Sequence, residues 1–228
     1  MIDLAIWNLS IPVGVPATTI DTPVLAGGYQ DYYFQSKDGA IFFWSPVNGT
    51  TTENAKYPRS ELRETYANGS VHNWLYTQAD NYLNATLSVS QVPSTGKIVI
   101  GQIHAYKVST PLLKLEYQYK TKTADGNIVA KLRMTPDSEI EVLTIAQGIK
   151  LDQAFRYMLN LKPDGTLAIG LNNTQWSTQI DPSWASQLLY FKAGVYTQDN
   201  TGYETEAGAA RFDQLSIEHR ALVSSAPK

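Results

Sequence analysis

The chain contains no cysteine, which excludes disulfides, thiolate metal sites and a cysteine nucleophile. It carries only three histidines, and its 18 basic and 21 acidic residues leave a net charge of -3. That balance gives no general attraction to nucleic acid or to an anionic membrane, so a polyanionic ligand would need a local basic cleft. No apolar run approaches the roughly 20 residues that a membrane helix needs. The opening Met1-Ile2-Asp3-Leu4 lacks the basic region and apolar core of a signal peptide. Helical periodicity is equally scarce, with short candidates near residues 182–187 and 148–152. No internal repeat is present.

What remains is strand signal. Alternation of apolar and polar residues runs through 72–77, 85–89, 113–119 and 212–217. Asp125-Gly126 and Pro163-Asp164-Gly165 supply turn chemistry for two hairpins. At 228 residues the chain is long enough for one sizeable core, so residues 1–228 are expected to form a single domain. Many short strands with little helix predict an all-β jelly-roll sandwich of two antiparallel sheets, one of them concave and lining a groove.

Three segments carry functional-looking groups on one face. Period two places Tyr190, Lys192, Tyr196 and Gln198 together, with Phe191, Ala193 and Val195 opposite. The same rule aligns Tyr57, Arg59, Glu61 and Arg63, and in a third segment Gln102, His104 and Tyr106, with Val99, Ile103 and Ala105 turned away. For any one strand such a face is as readily the solvated side of an antiparallel sheet. Glu61 between two arginines could be a surface ion-pair ladder, and a lone His104 is more often structural than catalytic.

Taken together the set fits β-elimination from a 4-linked uronic acid. The C5 proton is weakly acidic because the adjacent carboxylate resists a second negative charge, and the enzyme must neutralise that carboxylate. Arg59, the Gln102 amide and a His104 N–H could do so, as an oxyanion hole stabilises a tetrahedral intermediate. Tyr196, beside Lys192, would be pushed toward phenolate and could serve as base or acid; His104 could be the base when the C5 hydrogen lies on the other side of the ring.

The blocks Arg59-Ser60-Glu61-Leu62-Arg63-Glu64, Gln102-Ile103-His104 and residues 190–198 resemble the three signature motifs of alginate lyases of polysaccharide lyase family 7, and the openings at 6–12 and 40–49 are similar as well. Family 18 shares much of the pattern. The resemblance implies a jelly roll with a basic groove that cleaves alginate endolytically, without metal or cofactor, leaving a 4,5-unsaturated uronate. It implies that Arg59, Gln102 and His104 bind the carboxylate, that His104 and Tyr196 move the protons, and that Arg63, Lys192, Gln198 and Tyr190 bind substrate while Glu61 orients the arginines. The isoleucine at 103 goes in that family with action on guluronate-containing blocks.

Two other readings compete. A non-catalytic sugar-binding jelly roll could use the fourteen tyrosines and five tryptophans for stacking. A glycoside hydrolase would need two carboxylic acids, for which Glu139 and Glu141 are the available pair, read here as solvated charges. His72 and His219 lie on separate segments without metal-ligand spacing, so activity is expected to survive chelation. Sequons at Asn8, Asn48, Asn68, Asn84 and Asn172 point to an exported protein, secreted or periplasmic, and the chain is expected to act as a monomer.

Overall fold

Alternating apolar residues need two layers to cover them, and the chain builds two antiparallel sheets. The computed structural model describes residues 1–222. In chain order the strands are β1 (Trp7–Ser10), β2 (Thr19–Ile20), β3 (Phe34–Lys37), β4 (Ala40–Pro46) and β5 (Arg59–Glu64). There follow β6 (Ala79–Gln91), β7 (Lys97–Ala105), β8 (Leu113–Lys120), β9 (Asp125–Leu132) and β10 (Glu141–Ile149). The last are β11 (Phe155–Leu161), β12 (Thr166–Leu171), β13 (Thr174–Gln179), β14 (Leu189–Thr197) and β15 (Ala207–Ala221). One sheet has the order β10-β9-β8-β7-β14-β5-β1-β2 and the other β13-β12-β11-β6-β15-β4-β3. The expected jelly-roll sandwich is what forms.

The core lies between the sheets. Leu62, Ile103, Phe191, Ala193 and Val195 from the first sheet meet Phe43, Leu87, Tyr157 and Phe212 from the second. Each comes from the apolar half of an alternating strand, so the hydrophobic effect fixes which face of β5, β7 and β14 turns outward.

Bulges modify that simple alternation. Opposite β8, strand β7 carries one extra residue between Val99 and Gly101; opposite β7, strand β14 carries one between Ala193 and Tyr196. As a result Ile98 and Ile100 join the core cluster and Val99 does not, contrary to the expected alternation. Against β5 the register of β14 is unbroken, pairing Tyr196 with Arg59, Gly194 with Glu61 and Lys192 with Arg63. Gly194 has φ 142°, and a Cβ there would stand 2.7 Å from the Ser60 carbonyl oxygen. Only glycine allows that approach.

Several local expectations are corrected. Residues 72–77 form no strand; they make an isolated bridge at Trp74 and enter a 3-10 turn at Tyr76–Gln78, because Trp74 and Tyr76 are buried by tertiary packing. Asp125-Gly126 is not a turn: the hairpin bends over residues 121–124, Ala124 takes φ 54°, and Gly126 lies in β9 with Tyr117 packed where a side chain would be. Residues 148–152 close β10 and turn, without helix. The 3-10 turn at Pro182–Ser186 falls where helical signal was read, whereas the short helix Thr22–Ala26 was not anticipated. Pro163-Asp164-Gly165 does join β11 to β12.

Candidate active site

The outward face of the eight-stranded sheet carries a groove of about 800 Å³. Its lining includes Arg59 and Arg63 from β5, Gln102 and His104 from β7, and Tyr190, Lys192 and Tyr196 from β14. Segments more than a hundred residues apart are thus assembled by strand neighbours. Cations outnumber acids among the lining residues: Lys56, Arg59, Arg63, Lys107, Lys114 and Lys192 against Glu53 alone. A net acidic chain therefore has the local basic cleft that a polyanion requires.

These strands do not present a solvated face. Glu61 is 0% exposed and Gln102 1%, while Arg59 and Lys192 are each 7% exposed. Glu61 sits beneath the groove and organises it. Its Oε2 accepts from Arg59 Nη1 at 2.9 Å and faces Lys192 Nζ at 2.6 Å, and its Oε1 accepts from the Gln102 amide. Burial alone would raise the Glu61 pKa, but Lys192, Arg59 and the hydrogen bonds outweigh it and hold the carboxyl at about 2. A surface ladder worth a fraction of a kcal/mol is excluded by this burial.

Glu61 orients Arg59 but not Arg63. The Arg63 guanidinium instead donates to the carbonyls of Glu64 and His72 and to Asn73 Oδ1, and lies 4.0 Å from the Tyr190 ring centroid. Arg59 lies 3.7 Å over the Tyr196 ring. Within the described residues Arg59 Nε and Gln102 Oε1 are buried with no hydrogen-bond partner. Because Glu61 is ionised and can only accept, the Gln102 NH2 must face it, which fixes the amide and leaves its second N–H free for a ligand.

His104 Nδ1 is 2.8 Å from the Ala105 carbonyl oxygen. A carbonyl only accepts, so Nδ1 carries the hydrogen and the neutral ring has its lone pair on Nε2. Burial, then Lys192 and Arg59, bring the His104 pKa down to about 4, so the ring is neutral near pH 7. The expected His104 N–H toward a substrate carboxylate is therefore replaced by a basic nitrogen. The Tyr196 pKa is raised: burial outweighs the lowering by the Arg59 guanidinium, and Glu61 adds a smaller push upward. The expected push toward phenolate is reversed, and Tyr196 keeps its proton. Lys192 is lowered to about 8 by burial and by Arg59, with Glu61 opposing.

Gln198 lies past the end of β14 and outside the groove lining; its amide donates to the Tyr196 carbonyl at 3.3 Å and its backbone N–H to Lys97. The terminating strand ends the alternation that had placed it with Tyr196. Lys114 of β8 was missed, although its alternation with Leu113 and Leu115 was legible. It lines the groove with Nζ 5.2 Å from the Tyr196 ring. Asn8 and Ser10 of β1 also line it. Glu139 and Glu141 are exposed and away from the groove, so they do not form a carboxylate pair across it. His72 and His219, judged unrelated from spacing, converge on Glu64.

A family model described as alginate lyase matches residues 2–219. An alginate lyase of Pseudomonas aeruginosa of known structure superposes with a TM-score of 0.92 at 44% identity, covering 96% of this chain and 100% of that one. The alginate lyase A1-II′, described as a member of polysaccharide lyase family 7, gives a TM-score of 0.86 at 32% identity, with 97% of each chain covered. A curated alginate lyase of Klebsiella pneumoniae is 28% identical, covering 96% of this chain and 90% of its own. Match to the family model over nearly the whole length, with the same two-sheet fold beneath it, means that the chain belongs to the alginate lyases of polysaccharide lyase family 7 and is a polysaccharide lyase.

Proposed function

We propose that the chain cleaves alginate within the polymer by β-elimination, with His104 as base, Tyr196 as acid, and guluronate as the preferred residue on the side that loses its C5 proton. The observation carrying this reading is the protonation pattern in the groove: a neutral imidazole with a free Nε2 lone pair, and a phenol that keeps its hydrogen. His104 Nε2 takes the C5 proton, the C–H pair becomes the C4=C5 double bond, the C4–O4 bond breaks, and the Tyr196 hydroxyl gives its proton to O4. Arg59 and the free N–H of Gln102 meet the uronate carboxylate, whose charge grows in the transition state. Glu61 holds both before substrate arrives, so little reorganisation is needed.

Two different groups for the two protons suit an anti elimination. In guluronate the C5 hydrogen and O4 lie on opposite sides of the ring, whereas in mannuronate they lie on the same side. Arg63, Tyr190, Lys192 and Lys114 serve as substrate-binding positions. A groove of about 800 Å³ holds more than one sugar ring, which supports endolytic action. A polymer substrate is met outside the cytoplasm, so the working location is secreted or periplasmic. The structure of A1-II′ has been solved with a substrate written GGMG and with a product written GGG, which supports a polyuronate ligand for this chain too.

The test is ultraviolet absorbance over time with polyguluronate, polymannuronate and mixed-block alginate, using Tyr196→Phe as control. The expected result is an alkene signal, fastest on polyguluronate, lost in the variant by about 100-fold or more. Reducing ends without alkene would indicate hydrolysis, and equal rates in the variant would remove Tyr196 from the chemistry.

A further inference from the structure

At one end of the sandwich, outside the groove, Glu64 of β5 meets two histidines. Its Oε1 is 3.0 Å from His72 Nδ1 and 2.6 Å from His219 Nε2. The three residues come from different places: the first sheet, the loop after β5, and strand β15 of the second sheet. None of the three lines the groove, and the elimination uses none of them.

The surroundings decide what the cluster is suited to. The other oxygen, Glu64 Oε2, accepts from Trp74 Nε1 and from the Phe191 backbone N–H, each at 2.9 Å. That fixes the carboxylate plane and leaves Oε1 for both imidazoles. His219 Nδ1 is 2.7 Å from Asn81 Oδ1. The Asn81 amide nitrogen is itself committed to the carbonyls of Ala79 and Leu161, so its oxygen faces His219 and Nδ1 must be the donor. Neutral His219 then points the Nε2 lone pair at a carboxylate oxygen. Lone pair against lone pair is repulsive unless a proton or a cation lies between them.

Two imidazole nitrogens and one carboxylate oxygen, all within 4.8 Å of one another, make a donor set suited to a first-row divalent ion. Asn81, Trp74 and the Phe191 N–H hold the ligands from behind, as partners outside the coordination sphere do in metal sites. Stacking of His72 on Tyr66, with ring centroids 4.1 Å apart, orients the third ligand. Tetrahedral ligands at bonds of about 2.0–2.1 Å lie about 3.3 Å apart. Glu64 Oε1 would part from His219 Nε2 by about 0.7 Å and from His72 Nδ1 by about 0.3 Å, movements available to the two imidazoles, whose side chains are 19% and 23% exposed.

We propose that Glu64, His72 and His219 bind a zinc-class divalent cation, with water as fourth ligand, and that the ion staples the two sheets in a chain that has no disulfide. This site is structural and independent of the elimination.

The experiment uses the chain without a polyhistidine tag, stripped by chelator and dialysed, then titrated with zinc chloride by calorimetry. The expected result is one ion per chain, with the unfolding midpoint raised by about 5–10 °C at a hundredfold excess over Kd. His72→Ala, checked for folding by circular dichroism, is expected to bind at least about 100-fold more weakly. Cobalt(II) added to the unmodified chain is expected to give the visible bands of a four-coordinate site, a readout that needs no variant. No saturable uptake, undiminished affinity in folded His72→Ala, or only octahedral cobalt spectra would overturn the proposal and leave the cluster as a proton-bridged ion pair.

Discussion

Glu61→Gln is the most informative single change, because it keeps shape and removes one buried charge. In the native site that charge is shared by Arg59 at 2.9 Å and Lys192 at 2.6 Å, both almost wholly buried. Glutamine would leave two adjacent cations without an anion, and breaking a buried pair in this way costs about 3–5 kcal/mol. Linkage gives a consistent figure: a carboxyl moved from 4.5 to about 2 contributes about 3 kcal/mol. The sign follows from the depressed value. This stability is fully present above pH 4.5 and is lost as pH falls toward 2. At roughly 2–4 °C per kcal/mol for a chain of this size, the unfolding midpoint at pH 7 should drop by about 6–20 °C. The rate of alkene formation should fall by about 100-fold to 1000-fold, since Arg59 and Gln102 lose the group that positions them. Uronate oligomers, by supplying a carboxylate to the same cations, should raise the midpoint of the variant more than that of the native chain. Calorimetry with and without oligomer, alongside the absorbance assay, reads all three. A midpoint shift under 2 °C with native rate would refute the view that Glu61 organises the groove.

The pH profile of kcat/KM should show two limbs. Protonation of His104 removes the base as pH falls through about 4, and deprotonation of Lys192 removes a groove cation as pH rises through about 8. Lys192→Arg should move the alkaline limb upward, and an unmoved limb would assign it elsewhere. Arg59→Lys keeps the charge but loses the planar fork and the stack on Tyr196, so the rate should drop by about 100-fold or more; native kinetics would make Arg59 a mere cation. Gly194→Ala places a Cβ 2.7 Å from the Ser60 carbonyl oxygen and 2.8 Å from Glu61 Cα at φ 142°. It should cost about 2–5 kcal/mol and separate Tyr196 from Arg59, seen as a lower midpoint and a lower rate, while native values for both would contradict the bulge geometry.

Period-two alternation was sufficient to determine the all-β class and which side chains share a face within each strand, Arg59 with Glu61, Gln102 with His104 and Lys192 with Tyr196, because side-chain direction in a strand is a local property; that β7, β14 and β5 lie side by side it did not determine. Where strands bulge or end, local periodicity fails: Val99 changed face and Gln198 left the groove. The protonation states needed the folded chain as well. From sequence, Lys192 beside Tyr196 suggested a phenolate, yet desolvation, set by every strand packed around the phenol, outweighs a single neighbouring charge. His104 could be read as a donor until its Nδ1–H was seen committed to Ala105. The meeting of Glu64 with His72 and His219 has no sequence signal at all, since it joins two sheets through contacts up to 155 residues apart. Distances between remote strands are decided by how the core closes, and only the tertiary structure records that.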